Sequence, residues 1–410
     1  MSTQDKPAAI QPLAGIKVVD LSKVLAGPLC GQYLGELGAD VVKIEPVHSG
    51  DDTRAWIPQK EGESAVFLAI NHNKRSLALD LKTAEGRAIV HDLVRDADVV
   101  LQGFAAGTAK RLEVDYATLK ALNPRLIYCE ISGYGREGPL GDEPGYDVMM
   151  QAFSGMISTM GERGGELARA SFSPVDIGTA MHGLSGVLAA IIERGRTGQG
   201  VYVELSLLDT ALGFMAYMGQ SYWLGGVEPG PMGTGHPSMS PYQAFKAADG
   251  PVMIGAGNDS QWRRFCAVAD LQAYVDHPDF DTNAKRVANI ERTAALVQQR
   301  IEKKNVHEWL ELLQAAGIPC APVHTLSQAL GHPQVAARGL LVKSQHPVLG
   351  ALCNVGLPIR FQDCDRQARC APPLLGQHSA QILTEAGYAS HDIARLQAQG
   401  VIQCATQGPH

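Results

Sequence analysis

Residues 16–45 impose the tightest constraint on how this chain can fold. Ile16-Lys17-Val18-Val19-Asp20-Leu21 is an apolar run of strand length, and Gly27-Pro28 breaks it. Pro28 suits the first turn of a helix, where its missing N–H would be unpaired in any case. Residues 29–37 carry helical apolar spacing and Gly38 offers a C-cap. Asp40-Val41-Val42-Lys43-Ile44-Glu45 is the next strand. Two strands joined through a helix pair side by side in parallel, with a right-handed crossover. The pattern then repeats: a strand over 75–81, a helix over 84–96 with Ile89, Leu93 and Val94 apolar, a strand over 98–104, a helix over 116–122 and a strand over 126–131. This alternation predicts an α/β fold with a doubly wound, Rossmann-like parallel sheet and a ligand at the carboxyl ends of its strands.

Two helices are expected next, over 147–160 and 178–194, with Asp176 just ahead of the second. Residues 201–206 read as a strand, and 209–225, apolar and aromatic, as a crossing segment. The run Glu228-Pro229-Gly230-Pro231-Met232-Gly233-Thr234-Gly235-His236-Pro237 is dense in glycine and proline and marks a domain boundary. Beyond it come a strand over 252–256, a mainly helical stretch to about 316, and a tail of short helices and loops with a helix near 379–385.

A chain of 410 residues is long for one core, so two domains are expected. Its net charge is -7 and it has no long basic run, which argues against a nucleic-acid partner. Residues 1–12 are polar and carry no signal-peptide pattern. The longest apolar helical stretch, near 183–192, is too short to span a bilayer, so no membrane partner is expected. The eight cysteines include no CxxC pair, and Cys364 and Cys370 have five residues between them with no histidine cluster nearby. That usage predicts a reduced, cytoplasmic chain without disulfides or a metal. The first strand-to-helix corner, Lys23-Val24-Leu25-Ala26-Gly27-Pro28, lacks the GxGxxG of dinucleotide oxidoreductases, which counts against that class.

The stretch Ala170-Ser171-Phe172-Ser173-Pro174-Val175-Asp176-Ile177-Gly178 carries the candidate chemistry. A carboxylate beside a helix start feels the positive end of the helix dipole, which favours its anion. Asp176 reads locally either as a helix cap or as a carboxylate nucleophile kept ionised at the mouth of a site.

Several motifs then fall in order: Gly15 to Leu21 with Ala26-Gly27-Pro28, Gly38 to Glu45, Asn71-His72-Asn73-Lys74-Arg75-Ser76, Asn123-Pro124-Arg125-Leu126-Ile127-Tyr128, Gly133-Tyr134-Gly135, Gly145-Tyr146-Asp147, Arg196-Thr197-Gly198-Gln199-Gly200 and Pro372-Pro373-Leu374-Leu375-Gly376-Gln377-His378. Together they resemble the class III CoA-transferase family, which includes formyl-CoA transferase and the acyl-CoA racemases. The resemblance implies that Asp176 is the aspartate nucleophile, that the protein is a homodimer of interlocked subunits, and that a central domain is inserted into the large one. The domains expected are 13–205 for the first part of the large CoA-binding domain, 206–229 for a crossing linker, 230–325 for a smaller α+β domain, and 326–410 returning to the large domain.

Racemases of the family carry a Gly-His-Asp motif whose histidine moves a proton. Here Tyr146 takes that place, and tyrosine has no ordinary titration near neutrality, which favours a transferase over a racemase or epimerase. Gly233-Thr234-Gly235-His236, Pro241 to Lys246 and Gly255 to Asn258 resemble the branch that uses succinyl-CoA with small dicarboxylic acids such as glutarate, hydroxymethylglutarate or itaconate. A longer insert with four glycines, seen in formyl-CoA enzymes, is missing. CoA enters as a substrate, with no tightly bound cofactor expected. Positions matching the family's CoA contacts are Leu25, Ala26, Leu79, Lys82, Gly103, Phe104, Arg111 and Tyr146, with Phe104 equally readable as a core residue. Pro46 and Gly103 depart from the formyl-CoA pattern, so Arg75 and Arg111 become candidates for the CoA phosphates. The N–H groups of Gly233 and Gly235 suit an oxyanion. Arg169 and His236 are candidates for the acceptor's distal carboxylate, or simply a surface arginine and a loop histidine. Asp147 either caps a helix or positions groups at the same site. A CoA-transferase for another acid and a non-catalytic acyl-CoA-binding regulator stay open beside the main reading.

Overall fold

A computed structural model describes residues 10–361 and 368–405. Cys364 and the polar stretch before residue 10 lie outside the described residues. Two compact units emerge. The first takes the described residues up to Gly155, Ala170–Gly219 and those from Gln334 onward, and the second takes Met156–Arg169 and Gln220–Pro333.

In the first unit the alternation produces a parallel sheet. Its strands are β1 (Lys17–Asp20), β2 (Asp40–Glu45), β3 (Lys74–Leu79), β4 (Val99–Gln102), β5 (Ile127–Ser132) and β6 (Tyr202–Ser206). Their spatial order is β3-β2-β1-β4-β5-β6, all parallel, with the C-terminal strand Ile402–Gln403 added antiparallel beside β3. The order reverses between β1 and β4, and a ligand of a doubly wound sheet sits beyond the carboxyl ends of strands at such a switch. Neighbouring valines on β1 serve opposite faces. Val18 joins Leu29, Cys30 and Leu34 of α1 (Ala26–Glu36), and Val19 joins Ile89 and Val90 of α2 (Ala84–Arg95) and Leu119 of α3 (Tyr116–Leu122). Both sheet faces are covered, so the strands read as continuous apolar runs.

Two helix boundaries differ from the sequence reading. The helix expected over 147–160 is α4 (Asp147–Phe153), because Gly155 turns the chain at φ 86°. The helix expected from Gly178 is α5 (Pro174–Thr197). Proline occupies its first turn, and Gly178 lies inside it because a side chain there would overlap the ring of Phe214 on α6 (Leu207–Phe214). Asp176 is therefore in the first turn of α5 rather than ahead of it. At 24 residues, with an 18-residue window of mean hydropathy 1.5, α5 is long and apolar enough to cross a bilayer by length and composition. Its apolar residues have another use: Ala180, Leu184, Val187 and Ala190 pack in the same core as β1, β4, β5 and α1.

The second unit holds a three-stranded antiparallel sheet, with β8 (Pro251–Gly255) between β7 (Tyr242–Lys246) and β9 (Cys320–Pro322). Its core gathers Phe245, Val252, Trp262, Phe265, Val297 and Trp309.

Candidate active site

The corner from β1 to α1 is built over buried charge. Lys74 Nζ meets Asp20 Oδ2 at 2.9 Å and Lys43 Nζ meets Asp51 Oδ2 at 2.8 Å, all four side chains fully buried. Lys43 also donates to the carbonyl of Ser22 at 3.0 Å, and Asp51 accepts the N–H of Val24 at 3.3 Å. Val24 has φ 69°, a conformation that a β-branched residue adopts only when its surroundings impose it. Burial pushes the Asp51 carboxyl up, but Lys43 and the Thr53 N–H and hydroxyl hold it down at about 2. Burial lowers Lys74 to about 8 against the pull of Asp20. Asp20, Lys43 and Lys74 lie in motifs noted in the sequence, but their pairing was not read there. Its one sequence signal was the charge placed inside apolar strands at Asp20 and Lys43.

Leu25 and Ala26 open α1 at this corner, beyond the carboxyl end of β1. Leu79 ends β3 and is buried, with Lys82 exposed just beyond. Gly103 and Phe104 follow β4, Gly103 exposed and Phe104 partly packed on the core. Arg111 is exposed, its guanidinium donating to Thr108 Oγ1 at 3.1 Å. These positions share the carboxyl edge of the sheet. Arg75 does not: it is the second residue of β3, and its guanidinium is held by Asp40 and Glu385, each at 2.6 Å. The structure thus sets Arg75 at the amino edge, away from the phosphate role expected of it. Sequence reading missed Arg136, which pairs with Glu130 and donates to the Phe104 carbonyl at 2.7 Å, tying the loop after β5 to the loop after β4.

The glycines of Gly133-Tyr134-Gly135 and Gly145-Tyr146-Asp147 have a packing reason. A side chain on Gly133 or on Gly145 would come within 2.7 Å of the other's backbone. Tyr146 precedes α4 and is 60% exposed.

Asp176 is partly buried, and its carboxylate does not cap α5. That task falls to Asp147, whose Oδ2 accepts the N–H groups of Val175 at 2.8 Å and Asp176 at 3.1 Å. Asp147 therefore caps α5 rather than its own helix. Gln151, one turn along α4, donates its amide to Asp147 and accepts the Ala170 N–H at 2.9 Å. Burial, and then the neighbouring Asp147, push Asp176 up to about 7. The helix end was expected to favour the anion, but the first-turn N–H groups are directed at Asp147 instead. A carboxylate titrating near neutrality in a partly open site is a candidate nucleophile.

The remaining candidates lie in the second unit. The Gly233 N–H donates to the Gly161 carbonyl at 2.8 Å and the Gly235 N–H to the Met232 carbonyl at 2.9 Å. Of the two expected oxyanion donors, Gly233 is thus engaged by a distant segment and Gly235 within its own loop. His236 Nδ1 accepts the Ser238 N–H at 3.1 Å and its ring meets Tyr242 edge-on at 5.6 Å. Arg169 is exposed. Among the described residues, no group of three or more His, Cys, Asp or Glu side chains could hold a metal ion.

The sequence profile of "CoA-transferase family III" matches residues 13–379. Human succinyl-CoA:glutarate CoA-transferase is 34% identical over 96% of this chain and 90% of its own length. The succinate–glutarate CoA-transferase of Agrobacterium fabrum is 37% identical over 93% of this chain and 97% of its own. A CaiB/BaiF family protein from Brucella suis has a crystal structure that superposes with a TM-score of 0.82, at 37% identity, over 92% of this chain and 99% of that one. The chain belongs to CoA-transferase family III.

Proposed function

We propose that this protein moves coenzyme A from succinyl-CoA to a small dicarboxylic acid of the glutarate class, with Asp176 as the covalent nucleophile. The observation that carries the reading is the carboxylate of Asp176, freed from capping and titrating near neutrality at the start of α5. The relatives that act on succinyl-CoA and glutarate support the donor and the acceptor class. Itaconate remains an acceptor to be compared directly with glutarate.

In this mechanism the Asp176 carboxylate attacks the thioester carbonyl of the donor. The C–S bond breaks and CoA leaves as a thiolate, giving an aspartyl-succinyl anhydride. The thiolate then attacks the aspartyl carbonyl, releasing succinate and leaving an aspartyl-CoA thioester. The acceptor carboxylate attacks that thioester, and the returning thiolate takes the acyl group and restores Asp176. Covalent catalysis conserves the thioester through the exchange instead of losing it to water. CoA lies across the carboxyl edge of the sheet, with Lys82 and Arg111 meeting its phosphates. The same reading makes the functional particle a homodimer of interlocked subunits.

The test is mass spectrometry of the protein with succinyl-CoA and, separately, glutarate, hydroxymethylglutarate, itaconate and mesaconate. A new CoA thioester with at least one acid is expected, and Asp176→Ala should lower its rate by at least about 10³-fold, the scale of losing a covalent nucleophile. Substantial transfer by Asp176→Ala would sink the covalent mechanism. No thioester with any acid would sink the substrate assignment.

A further inference from the structure

The start of α5 lacks the usual local cap. Ser173 precedes it at φ 55° and its side chain makes no capping hydrogen bond, while Pro174 has no N–H to offer. The next two N–H groups, of Val175 and Asp176, still need an acceptor. They find it in a carboxylate nearly thirty residues earlier on another helix, Asp147. Asp147 is 5% exposed and Gln151 is fully buried. Gln151 grips the loop leading into α5 from both sides, accepting the Ala170 N–H at 2.9 Å and donating to the Ala170 carbonyl at 3.2 Å. Its remaining bond goes to Asp147.

We propose that Asp147 is a positioning residue for Asp176, with Gln151 as its support: together they fix the backbone of α5's first turn and hold a second negative charge beside the nucleophile. This rests on Asp176 being the nucleophile and deepens that reading. Ser173 is of a residue type that commonly caps helices, yet with its backbone at φ 55° it makes no capping bond, and the distant Asp147 takes the N–H groups instead. A buried carboxylate instead needs N–H donors in place of water, and here three supply it. The cost of placing two carboxylates together has a chemical return, because a like charge nearby makes Asp176 a stronger base and a better nucleophile. Asp147 is the charged group that acts on Asp176; His182, farther along α5, is bonded to Thr210 of α6 at 3.0 Å.

Three variants separate positioning from simple support. Asp147→Asn keeps an acceptor for the two N–H groups but removes the charge. It should move the acid limb of kcat to lower pH and reduce kcat, leaving KM for succinyl-CoA within a few-fold. Asp147→Ala should lose about 100-fold in kcat, the scale of a misplaced reacting group. Gln151→Ala should lose about tenfold in kcat with the acid limb unmoved, since the Asp147 charge stays. Infrared difference spectra between the parent protein and Asp176→Asn read the protonation of Asp176 without any substrate, so they remain informative even if every candidate acceptor fails. Repeated in the Asp147→Asn background, that carboxylic-acid band should titrate at lower pH. An Asp176 band that titrates as in the parent would overturn the proposal, as would Asp147→Asn kinetics that change only with thermal stability.

Discussion

Asp176 is held in the folded protein at about 7, above the usual carboxylate value, by burial first and Asp147 second. Two consequences follow with opposite signs. For catalysis the nucleophile must be ionised, so the rate should rise with pH through about 7 and level off above it. For stability the folded state binds a proton more tightly than the unfolded chain does. Its contribution is therefore fully present below about 4 and declines as pH rises from about 4 to about 7. Asp176→Asn removes that penalty without removing shape. Its Tm should match the parent at acidic pH and exceed it by a few degrees at pH 8, read by differential scanning calorimetry across that range. A Tm gain that is the same at every pH would show that Asp176 is not the titrating group. The raised value could not be read from the sequence, where Asp176 beside a helix start reads either as a cap or as a nucleophile kept ionised by the helix end. The residue that takes over the capping lies 29 positions away, and only the fold brings it there.

At the level of elements, β1, α1 and β2 were legible because strand-length apolar runs and a Gly-Pro corner leave few other structures. The corner's glycine was legible as a break but not for its reason. A methyl on Gly27 would overlap the side chain of Ser22, which is itself hydrogen-bonded to Asp20. Gly27→Ala should therefore cost about 1–3 kcal/mol. The ion network below was illegible because its partners are distant in sequence, Asp20 and Lys74 being 54 residues apart. Breaking it is costly in a particular way. Lys74→Met leaves a fully buried Asp20 without its partner, which should cost about 3–5 kcal/mol in urea unfolding. A loss under 1 kcal/mol would mean that Lys43, also close to Asp20, compensates. Arg75 lies near the amino end of β3, tied to Asp40 and Glu385, whereas Lys82 follows the carboxyl end of that strand. Arg75 and Leu79 are four residues apart on β3, roughly 13 Å at about 3.3 Å per residue, and Lys82 lies in the turn beyond Leu79.

At the level of the whole molecule, the two units each expose large apolar side chains that water does not favour. On α4 and its N-cap, Tyr146, Met149 and Phe153 recur at helical spacing, each more than half exposed. In the second unit Trp223, Leu224 and Val227 are 75%, 86% and 75% exposed within five residues. Single exposed apolar residues are ordinary, but contiguous ones mark surfaces that are covered in the working particle. The proposed homodimer supplies that cover; from the sequence it was implied by the family resemblance, while the apolar, aromatic stretch 209–225 read as a crossing segment. Sedimentation should therefore give a species of twice 43.7 kDa at micromolar concentration. Trp223→Glu combined with Leu224→Glu puts two charges where the partner would close. The double variant should sediment as a monomer, while its circular dichroism stays that of the parent because neither side chain is buried in its own chain. A parent that sediments as a monomer, or a double variant that remains a dimer, would remove these residues from the interface. If the variant is monomeric and also loses transfer, the dimer is part of the catalytic unit; if it is monomeric and active, each chain carries a complete site.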